Sequence, residues 1–174
     1  MQFASLFEFE INAGIAELAK YCAEISGPAD LPRRSRFRPS RVASVITYLF
    51  LIDVVAGEND YRFDLLGSNM AILFGEDVAG KRLSELGDKR LYDELRKTYD
   101  QVVTTGRPLY VRGRYEWPEM SIEIERLLVP MTDETGNVTT ILGAAIPDIP
   151  ADTLLIFAGY GPARLVIDEV LSAQ

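Results

Sequence analysis

Ile46-Thr47-Tyr48-Leu49-Phe50-Leu51-Ile52-Asp53-Val54-Val55, Gly57-Glu58-Asn59-Asp60 and Tyr61-Arg62-Phe63-Asp64-Leu65 follow one another in the chain, and their reading decides the fold. The first run is rich in β-branched and aromatic residues, which pack well on a pleated surface, so a strand is expected over 46–55. The second is built of residues that favour turns. The third alternates apolar and polar side chains, the pattern of a half-buried strand. Together they form a hairpin.

Beyond this hairpin the chain changes period. Gly67 ends the second strand and Ser68 is placed to cap a short helix from Asn69 to Phe74. Gly75 and Gly80 then break the chain into short helical turns, with Leu83 and Leu86 pointing inward. Asp88 is an N-cap residue for a longer helix. That helix carries Leu91, Tyr92, Leu95, Tyr99, Val102 and Val103 on one face. Gly106 stands at the position where helices end in a left-handed residue, and Pro108 follows. Three strands are expected next: Leu109 to Trp117, Ser121 to Met131 and, after the hairpin loop Asp133-Glu134-Thr135-Gly136-Asn137, Val138 to Ile146. Two hairpins separated by helices imply a mostly antiparallel five-stranded sheet with short helices on one face, an α+β architecture. In the tail, Leu154-Leu155-Ile156-Phe157 is strongly apolar and Pro162 to Ser172 reads as helical.

Upstream, Phe7 to Ile11 alternates like a strand, yet Ser5 with Glu8 matches a capping box. Ile15, Leu18, Ala19, Cys22 and Ile25 fall at helical spacing, so a helix is expected from residue 5 or 12 to 25, ended by Gly27-Pro28. Its apolar face either meets a partner or packs on its own domain. A linker with Pro28, Pro32 and Pro39 follows, carrying Arg33, Arg34, Arg36, Arg38 and Arg41. Such a cluster suits phosphates or a carboxylate, and Arg34 with Arg38 has the R-x-x-x-R spacing of some cyclic-dinucleotide binders. The competing reading pairs these arginines with the acidic excess of the same chain. The expected division is a helical segment at 1–27, a linker with a short helix at 28–45, a core at 46–147 and a tail at 148–174.

Composition narrows the functional classes. A formal net charge of −8 and a pI near 4.6 argue against general binding to nucleic acid or to an anionic membrane. There is no histidine, which removes the commonest general base and metal ligand, so Ser-His-Asp and Cys-His catalysis and histidine-ligated haem are excluded. One cysteine, Cys22, permits no internal disulfide. Glu8, Glu10 and Glu17 stand where a signal peptide has its apolar core, and no apolar run is long enough for a membrane helix. A cytoplasmic location follows as an expectation, with no metal and no catalytic residue assigned.

The order of elements, together with Asn69-Met70-Ala71-Ile72-Leu73-Phe74-Gly75 and Gly80-Lys81-Arg82-Leu83-Ser84-Glu85-Leu86, resembles a PAS domain. Leu31-Pro32-Arg33-Arg34 with Pro39, Leu49 to Val54, Tyr61-Arg62-Phe63, Leu66-Gly67 and Thr140-Ile141-Leu142-Gly143 are similar to a narrower, single-domain PAS subfamily common in alphaproteobacteria. The resemblance covers residues 15–147. It implies a cytoplasmic sensing or interaction module, often dimeric, with no ligand carried over. Light-sensing flavin PAS domains place a reactive cysteine in an N-C-R-F-L-Q motif, where this chain has Asn69 to Phe74 with no cysteine. That leaves a dissociable flavin or an apolar metabolite open.

A ligand would sit between sheet and helices. Alternation offers Leu49 and Leu51 or their neighbours, Tyr61, Phe63 and Leu65, Val111, Gly113 and Tyr115, and Ile122 and Ile124 as inward faces; the helices add Met70, Phe74, Leu91, Leu95 and Tyr99. The candidate lining is Phe63, Leu65, Met70, Phe74, Leu95, Tyr99, Gly113, Tyr115 and Ile124, all of which also suit a plain core. Gly113, without a side chain in mid-strand, leaves room for a close approach. Either Arg112 or Arg114 faces inward to anchor an anion, or both pair across the sheet with Glu123 or Glu125. Three functions compete: a ligand-sensing module, a module of protein contacts alone, and an enzyme on a similar scaffold such as a steroid-isomerase-like fold, which the element order disfavours. With few residues after Pro150, the signal is expected to leave through a separate output protein or a homodimer built partly on the first helix.

Overall fold

The computed structural model describes residues 10–26, 31–161 and 163–172. The Ser5–Glu8 capping box, most of the Phe7–Ile11 alternation and the Gly27-Pro28 stop lie outside them. The apolar alternation that reads as strands folds as strands: β1 (Leu49–Val55), β2 (Asp60–Leu66), β3 (Leu109–Trp117), β4 (Met120–Thr132) and β5 (Val138–Pro147). With a sixth strand, β6 (Arg164–Ser172), they pair antiparallel in one sheet of order β2-β1-β5-β4-β3-β6.

The sixth strand corrects the sequence reading, which takes Pro162 to Ser172 as helix. The tail does begin helically, with α4 (Ala151–Leu154) and a 3-10 turn over Leu155–Gly159. It then crosses to the open edge of β3 and pairs with it from Leu109↔Ser172 to Glu116↔Arg164. A free edge presents unpaired N–H and C=O groups, and a segment that can satisfy them is drawn into the ladder whatever its local preference.

The helices are set by their caps. Asn12 opens α1 (Ala13–Ile25) by accepting the Gly14 N–H at 2.8 Å. Asp88 opens α3 (Lys89–Thr105) by accepting the Arg90 and Leu91 N–H groups at 2.8 and 3.1 Å, and Gly106 closes it with φ of +60°. Between β2 and α3 lies α2 (Ser68–Phe74), ended by Gly75 in the left-handed region; Ser68 is its first residue and not its cap. Residues 46–48, read from the sequence as the start of β1, instead finish a 3-10 stretch over Pro39–Tyr48 that buries Val42, Val45 and Tyr48.

The sheet is covered on both faces. Paired residues of antiparallel strands project to the same side, so Phe50, Gly143 and Leu128 share one face, and Leu51, Leu142 and Val129 share the other. The front face meets α2 and α3: the Phe63 and Phe74 rings pack edge to face at 5.5 Å, and Tyr61 and Tyr99 at 5.3 Å. The back face meets α1 and the 39–48 stretch. The Asn12 N–H donates to Glu125 Oε2 at 2.6 Å, and a Cβ built on Gly14 would lie 2.7 Å from Ile146. Ile15, Leu18, Ala19 and Cys22 are fully buried there, so the apolar stripe of α1 is spent inside its own domain.

Candidate functional site

The front layer gathers eight of the nine residues expected to line a pocket. Phe63, Met70, Phe74, Leu95, Tyr99, Tyr115 and Ile124 are buried between sheet and helices, and Gly113 lies among them on β3. Leu65 does not join them. A bulge at Asp64 lets Ile52 pair with Phe63 while Leu51 pairs with Leu65, which puts Leu65 on the back face with Leu51. One extra residue in a strand reverses the side to which everything beyond it points.

Gly113 has a different reason from the one the sequence suggests. A Cβ there would lie 2.2 Å from the Val166 carbonyl oxygen on β6. The close approach is that of a neighbouring strand, at the point where Asp168 bulges out of the β3–β6 ladder.

At the centre of the layer stands a residue that the apolar pattern passes over. Arg126 is in phase with Ile122, Ile124 and Leu128 on β4, and its side chain is 1% exposed. Its guanidinium carbon lies 5.9 Å from the centre of the Phe50 ring. Nε and Nη1 have no hydrogen-bond partner among the described residues. Burial pushes the Tyr99 and Tyr115 phenols above their ordinary range; the charge of Arg126 opposes that rise in both, and at Tyr99 a hydrogen bond to the Arg126 side chain opposes it as well. The signal in the sequence is a charged residue at an apolar position of a period-2 strand.

An open cleft of about 630 Å³ lies at one edge of this layer, between the end of α2 and the start of α3. Phe74, Val78, Leu86 and Leu91 supply its apolar wall, and Glu76, Asp88, Lys89 and Arg90 its charged rim.

A PAS domain family model matches residues 12–146, most of the chain. The chain belongs to the PAS domain family. Solved structures similar to this PAS domain include the PAS domain from Bordetella pertussis BvgS, at 18% identity over 81% of this chain and 93% of that one, with a TM-score of 0.49. The Vibrio cholera VqmA-ligand-DNA complex matches at 13% identity over 71% of this chain, with a TM-score of 0.49, and this chain spans 57% of that one. The Rhodobacter sphaeroides LOV protein matches at 14% identity over 71% and 84% of the two chains, with a TM-score of 0.42. No curated protein matches.

The other sequence candidates in this PAS domain are occupied elsewhere. Arg112 and Arg114 both face the back. Arg112 Nε donates to the Tyr110 hydroxyl at 3.1 Å, which in turn donates to Glu125 at 2.7 Å; burial and that Glu125 contact push the Tyr110 phenol up to about 12. Arg114 pairs with Glu116 at 2.8 Å and with Asp168 on β6. The arginines of residues 33–41 diverge to different elements and form no clamp. Arg33 pairs with Glu134 at 3.0 Å, Arg34 with Asp64 at 3.4 Å and Arg41 with Glu24 at 3.7 Å. Arg36 and Arg38 donate to backbone carbonyls of Ile25, Ser35 and Phe37. Cys22 is fully buried, and burial pushes its thiol up to about 12, so it holds little of the reactive thiolate at neutral pH. Among the described residues no helix is long and apolar enough to cross a membrane.

Proposed function

We propose that this PAS domain is a sensory module that holds a small, largely apolar ligand between its sheet and helices α2 and α3, and passes the signal on through protein contacts. The observation that carries this reading is the front layer, where aromatic and aliphatic side chains surround one buried guanidinium. Small-molecule sites combine an apolar lining with a few placed polar groups. The cleft beside Phe74 and Leu91 gives that layer an edge open to solvent. The ligand class in this reading is a dissociable flavin or an apolar metabolite, and no catalysis is part of it.

Output goes to a separate protein in the cytoplasm, from a domain that pairs with a second copy of itself. The net charge of −8 favours a protein partner over nucleic acid or an anionic membrane. The kinship to the alphaproteobacterial single-domain subfamily belongs to the same proposal.

A second reading, a contact module with no ligand, is favoured by Leu155, Ile156 and Tyr160, which are 63%, 65% and 54% exposed on the tail. Apolar side chains grouped on a surface mark interaction sites.

Native mass spectrometry of the purified chain, followed by denaturation and identification of what is released, separates the two. A near-stoichiometric small molecule is the expected result. Protein that is bare in every preparation would leave the contact module standing alone.

A further inference from the structure

Arg126 is buried in the front layer with two guanidinium nitrogens unpartnered among the described residues. Removing a charge from water is costly unless an opposite charge or full hydrogen bonding replaces the lost hydration. Arginine keeps its proton in proteins, so it cannot escape that cost by becoming neutral. The Phe50 ring gives a cation–π contact, far weaker than the hydration it replaces. On the adjacent strands the paired positions are Val111 and Ala145, which offer no acceptor side chain. Glu123 and Glu125 of the same strand alternate to the back face, where Glu125 already accepts from Asn12 and Tyr110. Among the described residues the layer therefore carries a buried cation with no anion facing it.

We propose that Arg126 anchors the carboxylate of a small organic acid, whose apolar body lies among Phe50, Met70, Tyr99 and Tyr115. The proposal rests on the ligand-sensing reading and names the class of ligand. A monocarboxylate matches the single positive charge, and its two oxygens suit the planar donors of a guanidinium. A phosphate dianion would leave one negative charge uncompensated in the same apolar surroundings. The arginines of residues 33–41 do not supply a second cation, because they are engaged with Glu134, Asp64, Glu24 and backbone carbonyls. Tyr99 and Tyr115, whose phenols burial keeps protonated, offer further donors beside the guanidinium.

The test is calorimetric titration and thermal melting of the ligand-free full chain with benzoate, hexanoate, benzamide and hexanamide. Each acid and its amide share shape and differ in charge. At least one acid is expected to bind and raise the melting temperature while its amide does not. Arg126→Met is expected to weaken binding of that acid roughly ten- to a hundredfold, and to melt at or above the temperature of the unliganded native chain, because it removes an unpaired buried charge. Should Arg126→Met fail to fold, the comparison of acid with amide on the native chain decides alone. Amides that bind as well as acids, or acid binding that survives Arg126→Met, would overturn the anchor and leave the ligand-sensing reading intact. No response to any of the four probes would overturn it too, and the released-ligand measurement would then judge the broader reading separately.

Discussion

A Cβ added to Gly143 on β5 would lie 2.1 Å from the Phe50 ring. The glycine is what allows Phe50 to lie flat across the sheet and reach Arg126. Gly143→Ala is expected to destabilise the fold by about 1–3 kcal/mol, the usual cost of overpacking a core. Urea denaturation should show a lower midpoint at unchanged slope; an unchanged midpoint would mean that Phe50 has room to move aside. At this scale the sequence is legible wherever alternation is unbroken. Tyr61 and Phe63, or Ile122 and Ile124, take their faces from a period of two. Leu65 is misplaced because the bulge at Asp64 leaves no mark in the apolar pattern. Arg126 escapes for a different reason: its charge stands at an apolar position of β4, so the apolar alternation carries no sign of it.

Among the elements, helix α3 could be read almost to the residue, because Asp88 and Gly106 state its ends in local chemistry that any neighbouring fold would respect. Strand β6 could not. Leu165, Val166, Ile167, Val170 and Leu171 fit a helical stripe as well as a strand, and the bulge at Asp168 breaks the alternation that would distinguish them. What decides is the edge of β3, which lies far back in the chain, from Leu109 paired with Ser172 to Glu116 paired with Arg164. Gly113 records that long-range pairing. In Gly113→Ala the new methyl meets the Val166 carbonyl, a backbone atom that cannot swing away. The amides of β6 are expected to exchange with solvent much faster than in the native chain, with those of β5 and α3 little changed, and stability should fall by about 1–3 kcal/mol. Were Gly113 kept open for a ligand instead, alanine would leave β6 protected and act only on binding.

At the scale of the whole molecule, the sheet is closed in front by α2 and α3, behind by α1 and residues 39–48, and along one side by the tail. The tail is tied down at several points. Leu154 is fully buried, Phe157 packs on Trp117 at 4.9 Å, the Trp117 indole donates to the Gly161 carbonyl at 3.1 Å, and the Ala163 N–H donates to the Leu73 carbonyl at 3.4 Å. These ties join β3 to α2 across the front layer that holds Arg126. Removing residues 151–174 would take away Leu154 and Leu165, bare Trp117 and leave the full edge of β3 unpaired. The two buried leucines together contribute about 3–6 kcal/mol, which corresponds to a fall in melting temperature of about 6–24 °C for a domain of this size. An exposed apolar edge is also a template for pairing with another chain. Size-exclusion chromatography with light scattering should therefore find the shortened chain in larger assemblies than the native one. A shortened chain that melts with the native one and keeps its assembly state would show that β6 is an accessory to the sheet, and that the front layer is sealed without it.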